Sequence, residues 1–226
     1  MKKTRYDVSE MVETQWEPSS RGKVLRNRLG IRSKREMDLV ETREQIRALD
    51  KLVGVYGKNH RFITEDVRRI HKIWLAPIYD WAGEYRQVNL SKSGFPFAAA
   101  GQISKLMAEF EKGPLRIYTP CLFSHQADMT KALAVVHTEL LLIHPFREGN
   151  GRTARILAVL MSLQAGLPPL DFSGIKGRNR QAYFAVVRNG LERNYAPMEN
   201  IFSEIVQRTL KRYGGQTFRK KFHSTF

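Results

Sequence analysis

From Glu36 to Tyr56 the apolar positions Met37, Leu39, Val40, Ile46, Leu49, Leu52 and Val53 recur at helical spacing, and predict a first long helix. A second is expected to open at Thr64-Glu65-Asp66, where Thr64 can cap and two acids suit a helix N-terminus. Val67, Ile70, Ile73 and Trp74 supply its buried face, and Pro77 ends or bends it. Between Gly83 and Ala100 the pattern changes to short extended pieces, 86–90 and 95–97, with Lys92-Ser93-Gly94 as the turn of a small hairpin. Helical periodicity returns over 101–112, 123–143, 152–165, 177–193 and 197–213, punctuated by Pro114, Pro120, Gly166-Leu167-Pro168-Pro169 and Pro197. The reading is one all-α domain carrying one short β-hairpin, over 37–213. Residues 1–36 form a basic, turn-rich arm laid on the core, and 214–226 a mobile basic tail.

A chain of 226 residues with 42% hydrophobic positions can bury one sizeable core. No apolar run approaches the roughly 18–20 residues that cross a bilayer, and Met1-Lys2-Lys3-Thr4-Arg5 leads into polar residues, so the expectation is a cytoplasmic protein with no membrane partner. The single cysteine, Cys121, excludes an internal disulfide. A formal charge of +16 admits an acidic protein partner or nucleic acid, but the basic residues are dispersed and no nucleic-acid module surrounds them, which argues against nucleic acid as the principal partner.

The chemistry concentrates in His144-Pro145-Phe146-Arg147-Glu148-Gly149-Asn150-Gly151-Arg152-Thr153-Ala154-Arg155. Gly149, Asn150 and Gly151 can take positive φ values that aim successive backbone N–H groups at one point, and the helix opening near Arg152 adds its positive end, which makes an anion nest. Arg152 and Arg155, three apart, can both grip a polyphosphate. Glu148 stands where a carboxylate would hold Mg²⁺ against those phosphates, and His144 could accept a proton from a hydroxyl. Together these parts point to phosphoryl or nucleotidyl transfer. His137, seven residues before His144, shares its helix face, but two imidazoles without a third ligand make a poor zinc site.

These twelve residues resemble the signature of the Fic family, His-Pro-Phe-x-(Asp/Glu)-Gly-Asn-Gly-Arg-x-x-Arg, and match it at every specified position. The resemblance extends to Tyr79-Asp80-Trp81-Ala82-Gly83-Glu84-Tyr85-Arg86 and to 22–31, which is similar to the start of the cell-filamentation Fic proteins. It implies a Fic-type helical bundle and a protein adenylyltransferase that moves AMP from ATP to a Ser, Thr or Tyr hydroxyl, with UMP and phosphocholine transfer as variants. It further implies that His144 is the base, Glu148 carries Mg²⁺, and Gly149, Asn150, Gly151, Arg152 and Arg155 bind ATP. Lys in place of Gly151 marks the related Doc-type kinases, so Gly151 favours AMP transfer. The hairpin matches the family's flap, with Lys92, Ser93, Gly94, Phe95, Pro96 and Phe97 as the edge on which a target segment aligns. Tyr183 is a candidate for the adenine pocket.

Many Fic proteins are inhibited by a glutamate in (Ser/Thr)-x-x-x-Glu-(Gly/Asn) that pairs with the second motif arginine, here Arg155. Ser9 to Thr14 has the spacing, with Glu13 as the glutamate, but carries Thr14 where Gly or Asn is expected. The resemblance therefore favours a separate small antitoxin, a toxin role, and targets such as a type II topoisomerase subunit, with delivery into another cell left open.

Overall fold

The computed structural model describes residues 11–92, 94–175 and 178–213, the side chains of 178–180 excepted. The expected mobile tail 214–226, Ser93 at the hairpin turn and Ser9 of the arm lie outside the described residues. Helices are α1 (Lys34–Val55), α2 (Thr64–Leu75), α3 (Ile103–Phe110), α4 (Arg116–Tyr118), α5 (Gln126–Ile143), α6 (Asn150–Gln164), α7 (Arg178–Asn189) and α8 (Ala196–Tyr213). The two strands, β1 (Ser91–Lys92) and β2 (Phe95–Pro96), pair antiparallel with Lys92 opposite Phe95. This is the all-α architecture with one short hairpin that the apolar spacing predicts.

Helix α5 is the central element because it is apolar on nearly every side: Leu133, Ala134, Val136, Leu140 and Leu141 are all buried. It packs on α6 and α8, while α2 packs on α1 and α6. Each large aliphatic side chain buried here contributes about 1.5–3 kcal/mol, and α6 alone buries Ile156, Leu157, Leu160 and Met161. Helices α5 and α6 meet at the twelve-residue motif, so the best-packed part of the protein sets the position of its reactive groups. Among the described residues no helix is long and apolar enough to cross a membrane.

The arm is largely irregular, with one short 3₁₀ turn at Val12–Thr14 and a bridge between Trp16 and Leu25. Val24, Leu25 and Ile31 are buried, and the Arg28 N–H donates to Ile78 O at 2.8 Å.

Three local expectations need correcting. The first strand forms not over 86–90 but at Ser91–Lys92, running into the expected turn, and the second shortens from 95–97 to Phe95–Pro96; before and after them the Arg86 side chain bonds the carbonyls of Val88 and Ala98. Thr64 is not the cap of α2 but its first residue; its N–H and hydroxyl both donate to Glu111 Oε2, while Asp66 Oδ2 accepts the Ile63 N–H. Pro114 does not stop the chain's helical course, which runs from α3 through a π turn at Glu111–Leu115 into α4. A widened turn accommodates a residue without an N–H and relieves the clash of its ring with the preceding turn.

Candidate active site

Helix α5 stops at His144, which adopts the left-handed conformation (φ 53°, ψ 57°) while its N–H still reaches Leu140 O at 3.0 Å. Pro145 then denies the chain any return to helix. The reversal points the imidazole back at its own helix, where Nδ1 lies 3.1 Å from Leu141 O. A carbonyl can only accept, so Nδ1 carries the hydrogen and Nε2 keeps its lone pair. Burial lowers the ring's pKa to about 4, and the positive charges of Arg86 and Lys92 press the same way against the opposing bond to Leu141. Phe97, just past the hairpin, stacks on the ring at 3.6 Å and 11°.

The loop after His144 is closed by its own side chains. Phe146 is fully buried and stacks on His71 at 3.9 Å, and Asn150 clasps Phe146 from both sides, Oδ1 accepting the N–H at 2.8 Å and Nδ2 donating to the carbonyl at 2.7 Å. His71 is a further clamp. Its Nδ1 accepts the Gly83 N–H at 2.8 Å, so Nε2 bears the hydrogen and donates to Glu148 O at 3.1 Å. Burial holds this ring neutral, with its pKa down at about 3. Of the three nest residues only Gly149 is left-handed, at φ 82°; Asn150 and Gly151 form the first turn of α6, two residues earlier than the motif spacing suggests. Their N–H groups belong to the opening turn, which has no intrahelical acceptors to offer. Nothing lies within 4 Å of where a Gly151 Cβ would sit, which leaves that face open to a ligand.

The two motif arginines are held differently. Arg152 Nη1 donates to Glu41 at 2.7 Å, its guanidinium lies 4.6 Å from the Trp74 ring centre, and Nη2 is 3.4 Å from Glu148. Glu41, buried at 2%, accepts the Tyr79 hydroxyl on its other oxygen. Arg155 turns toward Phe172, 5.8 Å from its ring centre. Tyr183 is 4% exposed, with its hydroxyl bonded to His137 Nε2 and facing Arg155; burial raises its pKa. It therefore sits beneath Arg155 rather than on an open wall. His137 spends its other nitrogen on Ala154 O at 3.2 Å.

The hairpin leans on α7 through two cation–aromatic contacts, the Lys92 ammonium 4.2 Å from the Phe184 ring centre and the Arg188 guanidinium 5.1 Å from that of Phe95. Between them lies a cavity of about 40 Å³ lined by Lys92, Phe95, Phe97, Phe184, Val187 and Arg188. Pro96 and Gly94 (φ 76°) are exposed. Glu13 does not face Arg155. Its carboxylate accepts the Gln87 N–H and its carbonyl accepts Arg147 Nε, both at 2.8 Å.

Glu148 is half exposed beside the nest, and its hard oxygen donors fit Mg²⁺. Among the described residues no group of three His, Cys, Asp or Glu forms a metal cage, so the protein would offer one carboxylate and leave the other positions to phosphate and water. The motif reading did not find Glu41 or His71. Glu41 carries a faint signal, an acid at a position of α1 in helical step with buried Met37, Ala48 and Leu52; His71 carries none in its spacing.

Residues 61–162 match the model of the Fic/DOC family. Over 163 residues the chain is 31% identical to a protein adenylyltransferase Fic of Aedes aegypti, covering 70% of this chain but only 30% of that relative. A protein of Escherichia coli (strain K12) named Probable protein adenylyltransferase Fic is 27% identical over 187 residues, 81% of this chain and 88% of its own length. Among solved structures, the N-terminal Fic domain of a VirB-translocated Bep effector protein from Bartonella quintana, with ADP bound, superposes with a TM-score of 0.64 at 25% identity, covering 80% of this chain and 89% of that one. Signature, helical fold and relatives agree that the chain belongs to the Fic/DOC family.

Proposed function

We propose that the chain transfers AMP from ATP to a Ser, Thr or Tyr hydroxyl of a target protein. The observation that carries this reading is Nε2 of His144, which keeps its lone pair on a ring held neutral at the end of α5, beside a nest opened by Gly149 at the start of α6. Nε2 takes the hydroxyl proton as the oxygen attacks the α-phosphorus; the new O–P bond forms, the bond to the β-phosphate oxygen breaks, and pyrophosphate leaves. The N–H groups of Asn150 and Gly151 and the positive end of α6 receive phosphate oxygens, with Arg152 and Arg155 as flanking cations. Mg²⁺ bound at Glu148 would neutralise phosphate charge. The hairpin edge aligns the target by main-chain pairing. Because Glu13 is committed to Gln87 and Arg147, an inhibitory glutamate for Arg155 is better sought on a separate antitoxin chain.

Incubation with α-³²P-labelled ATP, Mg²⁺ and a bacterial lysate should label protein; no labelled band with the purified enzyme in excess would sink the proposal. Glu148→Ala should remove the response of turnover to added Mg²⁺, and a full Mg²⁺ dependence in that variant would exclude Glu148 as the metal carboxylate. The base is usable only when neutral. With its pKa depressed to about 4, His144 is deprotonated throughout the neutral range, so kcat/KM should hold on acidification from pH 8 and fall only as pH drops through about 4. A pH profile, with the enzyme returned to neutral pH to verify its recovery, checks this; a limb at pH 6–7 would mean a solvated ring.

A further inference from the structure

Arg86 is 2% exposed, the largest charged side chain so deeply buried among the described residues. Its guanidinium donors are spent on main-chain carbonyls: Nε on His144 O at 2.7 Å, Nη1 on Val88 O at 2.6 Å, and Nη2 on Ala98 O at 2.6 Å and Ile143 O at 3.4 Å. Its backbone N–H adds a bond to Pro145 O at 2.9 Å. These acceptors fall into two groups. Val88 and Ala98 flank the hairpin, one before β1 and one after β2, while Ile143, His144 and Pro145 are the reversal that presents the imidazole. One planar cation thus joins both feet of the hairpin to the backbone of the proton acceptor.

Stability alone is a poor reason for such a residue, because burying an ion costs several kcal/mol and an apolar side chain of similar volume often serves as well. Among the described residues no carboxylate bonds to it directly; the nearby anion that acts on it is Glu13, itself tied to the adjoining Gln87 N–H. Carbonyl groups from two separated segments, however, can be satisfied together only by a fork with several fixed donors, and lysine lacks that geometry. We infer that Arg86 is a positioning residue that couples the hairpin to His144, so that the edge holding the target and the nitrogen receiving its proton keep one fixed relation. This rests on the proposed AMP transfer, in which hairpin and imidazole must act on the same hydroxyl.

Arg86→Lys and Arg86→Gln, each compared with wild type and His144→Ala, test the assignment. Both Arg86 variants should lower kcat for AMP transfer by about 10- to 100-fold, on the scale of a misplaced catalytic group, while KM for ATP stays within about threefold because the nest on α6 is untouched. Arg86→Lys, which keeps the charge, should not restore the rate. Amide hydrogen exchange should quicken in 88–98 and at 143–146 together, with α6 and α8 unchanged. A folded Arg86→Gln enzyme with wild-type kcat, or faster exchange in the hairpin alone, would overturn the coupling. If both variants fail to fold, the wild-type protein decides: Arg86 guanidinium protons protected from solvent exchange support the assignment, and protons exchanging like those of an exposed arginine overturn it. The two proposals fail separately, since a wild-type protein without transferase activity refutes AMP transfer while the exchange and protection measurements still judge the coupling.

Discussion

Alanine at position 144 will lower the rate of AMP transfer by about 100- to 10,000-fold, the usual contribution of a positioned general base. The expectation is specific because the imidazole has one free nitrogen. Nδ1 is committed to Leu141 O, so removing the ring removes the single group at the end of α5 that can take the proton. ATP affinity should change by no more than about threefold, since the nest and both arginines belong to α6. The substitution keeps a residue with a Cβ in the left-handed region, so the reversal pays no new backbone penalty. Initial rates of AMP incorporation, with nucleotide binding measured on the same preparation, check both halves; a variant retaining more than a tenth of the rate would remove His144 from the mechanism.

Gly149→Ala should cost about 3 kcal/mol of stability, combining a strained φ with overpacking, and lower Tm by about 6–12 °C for a chain of this size. A Cβ there would stand 2.8 Å from Trp74 Cζ3 and 3.1 Å from Leu75 Cδ1, and φ is 82°. Trp74 and Leu75 are fully buried and cannot withdraw into solvent. Trp74 also supports Arg152 and bonds Glu41 O through its indole N–H, so its displacement should weaken ATP binding as well. Gly151→Ala is the contrasting case. Its Cβ meets nothing within 4 Å and its position is helical, so Tm should hold or rise while a phosphate approaching that face loses room. Thermal unfolding with ATP titration separates the two. Equal Tm values for the two variants would mean that Gly149 is not needed for its conformation.

What the sequence made legible follows from the range of the forces involved. The long helices were readable because burial repeats every three to four residues over several turns, and the motif because its parts lie within twelve consecutive residues. Residues recruited from afar were not: Glu41 meets Arg152 across 111 positions, and His71 meets the Glu148 carbonyl across 77. The first strand was misplaced because Arg86 to Leu90 has strand-like composition, yet the Val88 carbonyl is taken by the Arg86 side chain. Tyr183 marks a different limit. Its place in α7 was anticipated, but periodicity does not say whether a half-apolar ring faces a ligand or a buried histidine.

Phe97 lies flat on His144, which at first sight obstructs the group that must react. The electron pair that captures a proton, however, projects within the plane of the imidazole, whereas the phenyl covers the π cloud above it. The two roles are orthogonal. The aromatic partner fixes the tilt of the ring like a plate clamped on its broad side, shuts bulk solvent away from that side, and leaves the rim as the approach for an incoming oxygen.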